Sequence, residues 1–259
     1  TTYPESIGGT VGKYSTTAIA AVTPGLSDFW HDCPIEGIRN DPGVGFMIMD
    51  NFIDIGLSAA ITAIISNAGT GRYLVFGDAG ATITPDTALA GGIVLTEATN
   101  DEAVSITTKQ TPFQIINAGG NVWFEAKIKT NTITTAKQAW FCGLMDVTPQ
   151  TSVVPLEADG DLADINLVGF HHPEANTTAF DTSYKADGVT AVEVNSNVGT
   201  LVAGTYVRLG MKFNTRLNQL SFYINGVQQA VLKNIPTTAG TDFPNDVTLA
   251  PVLAEVLAS

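Results

Sequence analysis

The sequence predicts an all-β protein, an antiparallel β-sandwich, and three observations carry that expectation. Across residues 206–213, Val207, Leu209, Met211 and Phe213 fall on one face while Arg208 and Lys212 fall on the other. That period of two marks a strand with one buried and one wetter side. Leu220, Phe222 and Ile224 repeat the alternation, and Asn225-Gly226 supplies the positive φ angles that a tight hairpin needs before the next run, 227–232. From Phe46 onward, short β runs alternate with turn residues, with no intervening 3.6-residue periodicity, which points to two antiparallel sheets packed face to face.

Two segments follow from this pattern. Residues 1–45 carry Gly8-Gly9, Pro4, Pro24, Pro34 and the turn signal Asp41-Pro42-Gly43, without sustained alternation. They are expected to form an extended N-terminal arm with one short helical turn, used for docking and assembly. Phe29, Trp30, Ile35 and Ile38 lie in it, and a free tail would not expose such residues. Either the chain's own sandwich or a neighbouring subunit must cover them. Residues 46–259 form the sandwich, within the roughly 200–250 residues that one all-β domain can span.

The expected strands are, in order, 46–49, 61–65, 73–76, 93–96, 104–107, 113–116, 122–128 and 140–145, then 165–170, 178–184, 189–194, 206–213, 220–224, 227–232 and 247–253. Residues 58–66 suit a helix as well as a strand. The nearly continuous apolar run 139–145 suits a central strand covered on both faces, which makes Cys142 a buried thiol. Asp187-Gly188 closes a second hairpin, and Asn195-Ser196-Asn197 a looser turn.

Composition narrows the function. Charged residues make up 14% of the chain, against roughly 25% in an ordinary soluble domain, so Thr, Asn, Ser and Gln must supply the polar surface. A net charge of −13, with only 12 Lys and Arg and no run of them, argues against a nucleic-acid partner. No apolar run approaches the roughly 20 residues of a membrane helix, and no signal peptide is visible. The opening at Thr1 is consistent with initiator Met removal in a cytoplasm. Two cysteines, Cys33 and Cys142, do not make a disulfide framework.

From Phe46 to the C-terminus the chain resembles the concanavalin A-like (laminin-G-like) jelly roll. The residues carrying the resemblance are 122–128, Trp140-Phe141-Cys142-Gly143-Leu144, Val168-Gly169-Phe170, Tyr206-Val207-Arg208-Leu209-Gly210 and Phe222-Tyr223-Ile224-Asn225-Gly226-Val227. Their order is similar to that in structural proteins of tailed bacteriophages. The leader, Asp28-Phe29-Trp30-His31-Asp32-Cys33-Pro34 followed by Asp41-Pro42-Gly43 and Asp50-Asn51-Phe52, resembles the leader of those virion proteins.

The resemblance implies a groove in which a fold relative that cleaves glycans aligns alternating carboxylates, with a retaining pair about 5–5.5 Å apart. The nearest match is Glu157-Ala158-Asp159-Gly160-Asp161, where Pro155 and Gly160 point to a loop instead. Asp159, Asp161 and Asp164 form a weak Ca²⁺ candidate that lacks the other ligands of a calcium loop. Adjacent His171 and His172 point to opposite faces of a strand and cannot easily share a metal. The expectation is therefore no enzyme, no cofactor and no metal.

Trp140 reads as core. Trp123 shares the wetter face with Glu125 and Lys127 and is the candidate glycan contact, with a buried packing role as the equal alternative. The favoured function is a non-enzymatic virion protein, a decoration (cement) protein on a phage capsid surface, assembled in the host cytoplasm. Its expected partners are the major capsid protein and itself, as a homotrimer, through Phe29, Trp30, Ile35 and Ile38. The alternative is a carbohydrate-binding or tail-associated receptor-binding module on the same fold.

Overall fold

The computed structural model describes residues 28–41, 43–52, 71–78, 80–86, 91–97, 100–116, 119–131, 133, 138–147, 154–174, 178–190, 192–233, 235 and 242–257. Among these residues thirteen strands run in chain order: β1 (Tyr73–Gly77), β2 (Thr82–Pro85), β3 (Ile93–Thr96), β4 (Glu102–Thr108), β5 (Val122–Ile128), β6 (Gln138–Met145), β7 (Leu167–His172), β8 (Ala179–Lys185), β9 (Val192–Thr200), β10 (Val207–Asn214), β11 (Gln219–Ile224), β12 (Val227–Lys233) and β13 (Ala250–Leu257). They are preceded by a 3-10 turn, Asp28–Trp30, and the short helix α1, Ile35–Asn40. Every strand pair is antiparallel.

Seven strands form one sheet in the order β1-β4-β13-β6-β7-β8-β9, and four form the other, β12-β11-β10-β5. The core between them follows from the predicted alternation. Leu209, Met211 and Phe213 of β10 and Leu220 and Phe222 of β11 meet Trp140, Cys142, Leu144, Val168 and Phe170 of the larger sheet. Phe170 packs edge-on against Phe222 with ring centroids 5.5 Å apart. Removing such side chains from water stabilises the sandwich by roughly 1.5–3 kcal/mol each.

The larger sheet is covered on both faces. Ala139, Phe141 and Met145 of β6 point away from the small sheet into a second cluster with Leu74, Ala254, Leu156 and Leu162. This explains why residues 139–145 lack polar alternation, as expected for a strand buried on both sides. Gly143 of β6 stands directly opposite Gly169 of β7. A Cβ on either glycine would meet backbone of the neighbouring strand closer than 3 Å and reach the Phe141 ring at about 3 Å.

The β2–β3 hairpin lies over β1, β4 and β13, where Ile83, Ile93 and Leu95 join Val75, Val104 and Ile106 in a third cluster. The small sheet has four strands against seven, so β5 ends it before the large sheet ends. That mismatch leaves a groove between the edge of β5 and the hairpin.

Several expectations need correction. Residues 46–49 form no strand, and 113–116 contribute one bridge, Phe113 to Leu249. Phe46 instead packs its ring against Phe113, 6.0 Å centroid to centroid. Strand β2 has no counterpart in the sequence reading, because four residues ending in Pro85 are too short for the alternation to register. Asn195-Ser196-Asn197 lies inside β9, where Asn197 takes φ 53° at an irregularity opposite β8. The Asp181 carboxylate accepts a hydrogen bond from the Asn197 N–H at 2.6 Å, which holds that kink. Asn225 and Gly226 do take positive φ, 52° and 83°. The expected strand 61–65, the ambiguous 58–66 and residues 1–27 of the arm lie outside the described residues.

The end of the leader is not free. Phe29 is 4% exposed and sits on the outer face of the small sheet, edge-on to Tyr223 and over Gly210. Trp30 Nε1 donates to Glu125 Oε2 at 2.7 Å. Lys212 pairs with Asp32, and Trp123 Nε1 donates to the same carboxylate at 3.3 Å. Burial pushes the Asp32 carboxyl upward, but the hydrogen bond and charge of Lys212 outweigh it and hold Asp32 below the ordinary value. For Phe29 this corrects the expectation of a contact between subunits: its own sheet covers it. Ile35 and Ile38 are half-buried.

Candidate functional site: a groove along the edge of β5

Two adjoining cavities, of about 340 and 620 Å³, run beside β5 and share Asp86, Ile93, Ile128, Tyr206 and Leu253 in their walls. Each lies in the range of ordinary ligand sites. The smaller one is lined by polar groups with unusual environments. Glu255 is brought there by the alternation of β13: with Leu253 and Leu257 it faces the interior, directly opposite Trp140 of β6. Gln138, at the start of β6, donates from Nε2 to Glu255 Oε1. Glu97 arrives from the other side, immediately after β3.

The carboxyls of Glu97 and Glu255 are hydrogen-bonded to each other. Burial is the main cause that pushes both well above the usual carboxylate range. The Glu255 and Glu102 charges raise Glu97 further, whereas the hydrogen bond from Glu97 pulls Glu255 the other way. Both carboxyls are therefore held toward the protonated form, because two carboxylates in contact cannot both ionise cheaply in a buried site. Glu97 Oε1 and Trp140 Nε1 are buried without a hydrogen-bond partner among the described residues. One is an oxygen able to accept, the other an N–H able only to donate.

At the mouth, Tyr206 is half-buried, with Lys127 Nζ 4.4 Å and Lys129 Nζ 5.2 Å from its ring centroid. Lys127 stands directly opposite Arg208 across the β5–β10 ladder.

The residues singled out in the sequence are mostly elsewhere. Trp123 lines the larger cavity, but its indole N–H is committed to Asp32 beneath the leader. Glu157, Asp159 and Asp161 sit on a turn closed by the Leu156–Leu162 bridge, with Gly160 at φ 80°, so they form no strand of alternating carboxylates. Asp159 Oδ1 accepts from the Asp161 N–H, while Asp164 turns to Lys185 at 3.4 Å and to the Gly188 N–H. The proposed Ca²⁺ ligands thus diverge, and among the described residues no three His, Cys, Asp or Glu side chains converge on one point. His171 bonds to the Gly160 carbonyl at 2.9 Å, and His172 donates from Nδ1 to the Ala179 carbonyl at 2.6 Å from the opposite face. His172 also stacks on Trp140, and its burial lowers its pKa.

Glu97, Gln138 and Glu255 escaped the sequence reading. The expected last strand stopped at 253, two residues short of the one charge on an otherwise apolar face, Leu253-x-Glu255-x-Leu257. An acid at an inward position of a strand is the signal that could have found it.

No protein-family model matches this chain, and no curated protein matches it. Solved structures do. A protein of unknown function from Shewanella oneidensis MR-1 is 13% identical, with 91% of this chain and 89% of that one covered at a TM-score of 0.50. An endo-1,3-β-glucanase from Streptomyces sioyaensis is 13% identical over 74% of this chain, at a TM-score of 0.41, and the match covers 66% of the enzyme's own length. A carbohydrate-binding module, CBM66 from Bacillus subtilis, is 10% identical over 69% of this chain and 89% of its own, at a TM-score of 0.39. The fold is the concanavalin A-like jelly-roll sandwich. The expectation that the chain is not an enzyme is corrected to an open question of activity: glucanases are among the structures that share its fold, which by itself assigns no role, and the groove holds two buried carboxyls, Glu97 and Glu255.

Proposed function

We propose that this protein binds a carbohydrate chain in the groove along β5. One observation carries the reading: Glu97 and Trp140 line the smaller cavity, and Glu97 Oε1, able to accept, and Trp140 Nε1, able to donate, are buried there without a hydrogen-bond partner among the described residues. Leaving buried polar atoms unpaired costs about 1–3 kcal/mol each. A sugar hydroxyl, which both donates and accepts, is the chemical group that would recover that energy from either of them. The Gln138 amide beside Glu255 supplies further hydrogen bonds, and Tyr206 offers a ring at the mouth.

The capsid-decoration reading has lost part of its premise, since Phe29 is already buried against Tyr223. The protonated pair favours a second reading, acid-assisted cleavage of the bound chain. A carboxyl kept protonated near neutrality is the requirement for a general acid. Cleavage by a retaining pair would also require Glu97 and Glu255 to part from hydrogen-bonding contact to about 5–5.5 Å.

Titration against a panel of polysaccharides, with reducing ends assayed in parallel, tests both. Binding that weakens in Gln138→Ala and Glu97→Ala, measured on folded protein, is the expected result. A panel with no binder, or binding indifferent to both substitutions, would overturn the proposal. New reducing ends that vanish in Glu97→Gln would establish cleavage.

A further inference from the structure

We infer that the glycan bound in this groove is an anionic one, a chain bearing carboxylates such as a polyuronate, engaged at the rim by Lys127, Lys129 and Arg208 around Tyr206. The inference rests on the carbohydrate-binding reading and narrows its ligand class. It starts from a charge distribution that stability alone does not explain. The chain has 12 Lys and Arg against 25 Asp and Glu, yet three of those cations gather at one end of β5 and β10. Lys127 and Arg208 stand directly opposite each other on the same face, an arrangement that is destabilising for like charges. Among the described residues no carboxylate forms an ion pair with Lys127, Lys129 or Arg208; the three ion pairs found join Arg72, Lys185 and Lys212 to Asp50, Asp164 and Asp32.

The carboxylate on the same face, Glu125, is next in the row but bonds to the Trp30 indole. Backbone geometry fixes the cluster. Asn225 at the β11–β12 turn accepts from the Arg208 N–H through its side chain at 2.9 Å and donates its own N–H to the Arg208 carbonyl at 2.8 Å. Lys127 and Lys129 sit two residues apart and so project on the same side about 7 Å apart along the strand. Cations strung along a strand suit an elongated ligand with repeated charges better than a compact phosphate, which calls for converging donors. Tyr206 between them gives a sugar ring an apolar surface.

The experiment measures affinity for a polyuronate, for a neutral polysaccharide and for single-stranded DNA, using the full chain and two variants, Lys127→Glu/Lys129→Glu at exposed positions and Arg208→Gln at a half-buried one. The uronate is expected to bind at least about tenfold more tightly than the neutral chain, with the preference lost in the charge-reversal variant and weakened by salt. A neutral chain that binds equally well would overturn the inference while leaving carbohydrate binding standing. Binding of neither glycan would sink both. DNA binding equal to that of the uronate would mean that the rim takes any polyanion, and would reject the glycan assignment. Circular dichroism of the variants confirms that the sandwich is intact.

Discussion

Phe29 and Tyr223 lie 194 residues apart in the chain and meet edge to face, with ring centroids 4.9 Å apart. The contact ties the leader to the outer face of the small sheet, over a glycine, Gly210, whose missing side chain makes room for the ring. Trp30 and Asp32 reinforce it through Glu125, Lys212 and Trp123. The leader thereby forms one wall of the larger cavity, through Trp30.

Phe29→Ala is expected to cost about 3 kcal/mol, at the low end for a buried aromatic because the ring lies on an outer face. Urea denaturation would read this as a lower midpoint. Cleavage near residue 28 by a protease should accelerate in the variant, since the contact that pins the segment is gone. An unchanged midpoint would show that the leader is held by its polar contacts instead.

Gly169→Ala should destabilise more than its one methyl group suggests. The new Cβ would lie 2.5 Å from the Cys142 carbonyl oxygen and 2.8 Å from the Gly143 Cα, both backbone atoms of the neighbouring strand. Strand β6 would have to move away from β7, at a cost of about 1–3 kcal/mol or more. Gly120→Ala is the control, because nothing lies within 4 Å of its Cβ. Equal stability of the two variants would contradict the close approach.

The Glu97–Glu255 pair makes stability depend on pH with a definite sign. Both carboxyls are raised in the folded chain, so above the ordinary glutamate value of 4.5 the folded state binds more protons than the unfolded one. Stability from this pair is therefore greatest in mild acid and is lost as pH rises through neutrality into the alkaline range. His172, lowered by burial, acts in the opposite sense below its ordinary 6.5 and is common to every variant. The difference between the unmodified protein and Glu97→Gln/Glu255→Gln isolates the pair. Thermal unfolding at about pH 5 and about pH 9 should show a smaller drop in the double variant. Parallel pH profiles would mean that the two carboxyls do not share a proton.

The local pattern of residues determined most of the architecture by itself. Alternation placed β5, β10, β11 and β12 on the correct residues, and the unbroken apolar run at 139–145 announced a strand covered on both sides. These signals are legible because side-chain direction in a strand repeats every two residues, so burial is written into the order of the chain. Short β2 escaped, since four residues with a terminal Pro carry too little of that pattern. What only the tertiary structure decided is which distant residues share a space. Glu97, Gln138 and Glu255 come from three separate strands or their ends, and their pairing depends on the register of β13 against β6 and on where the hairpin lies over the sheet. The leader's aromatics, likewise, demanded a cover that composition could announce but not choose. The choice fell to Tyr223 and Gly210, because only the folded sheet sets a ring beside a gap of the right depth.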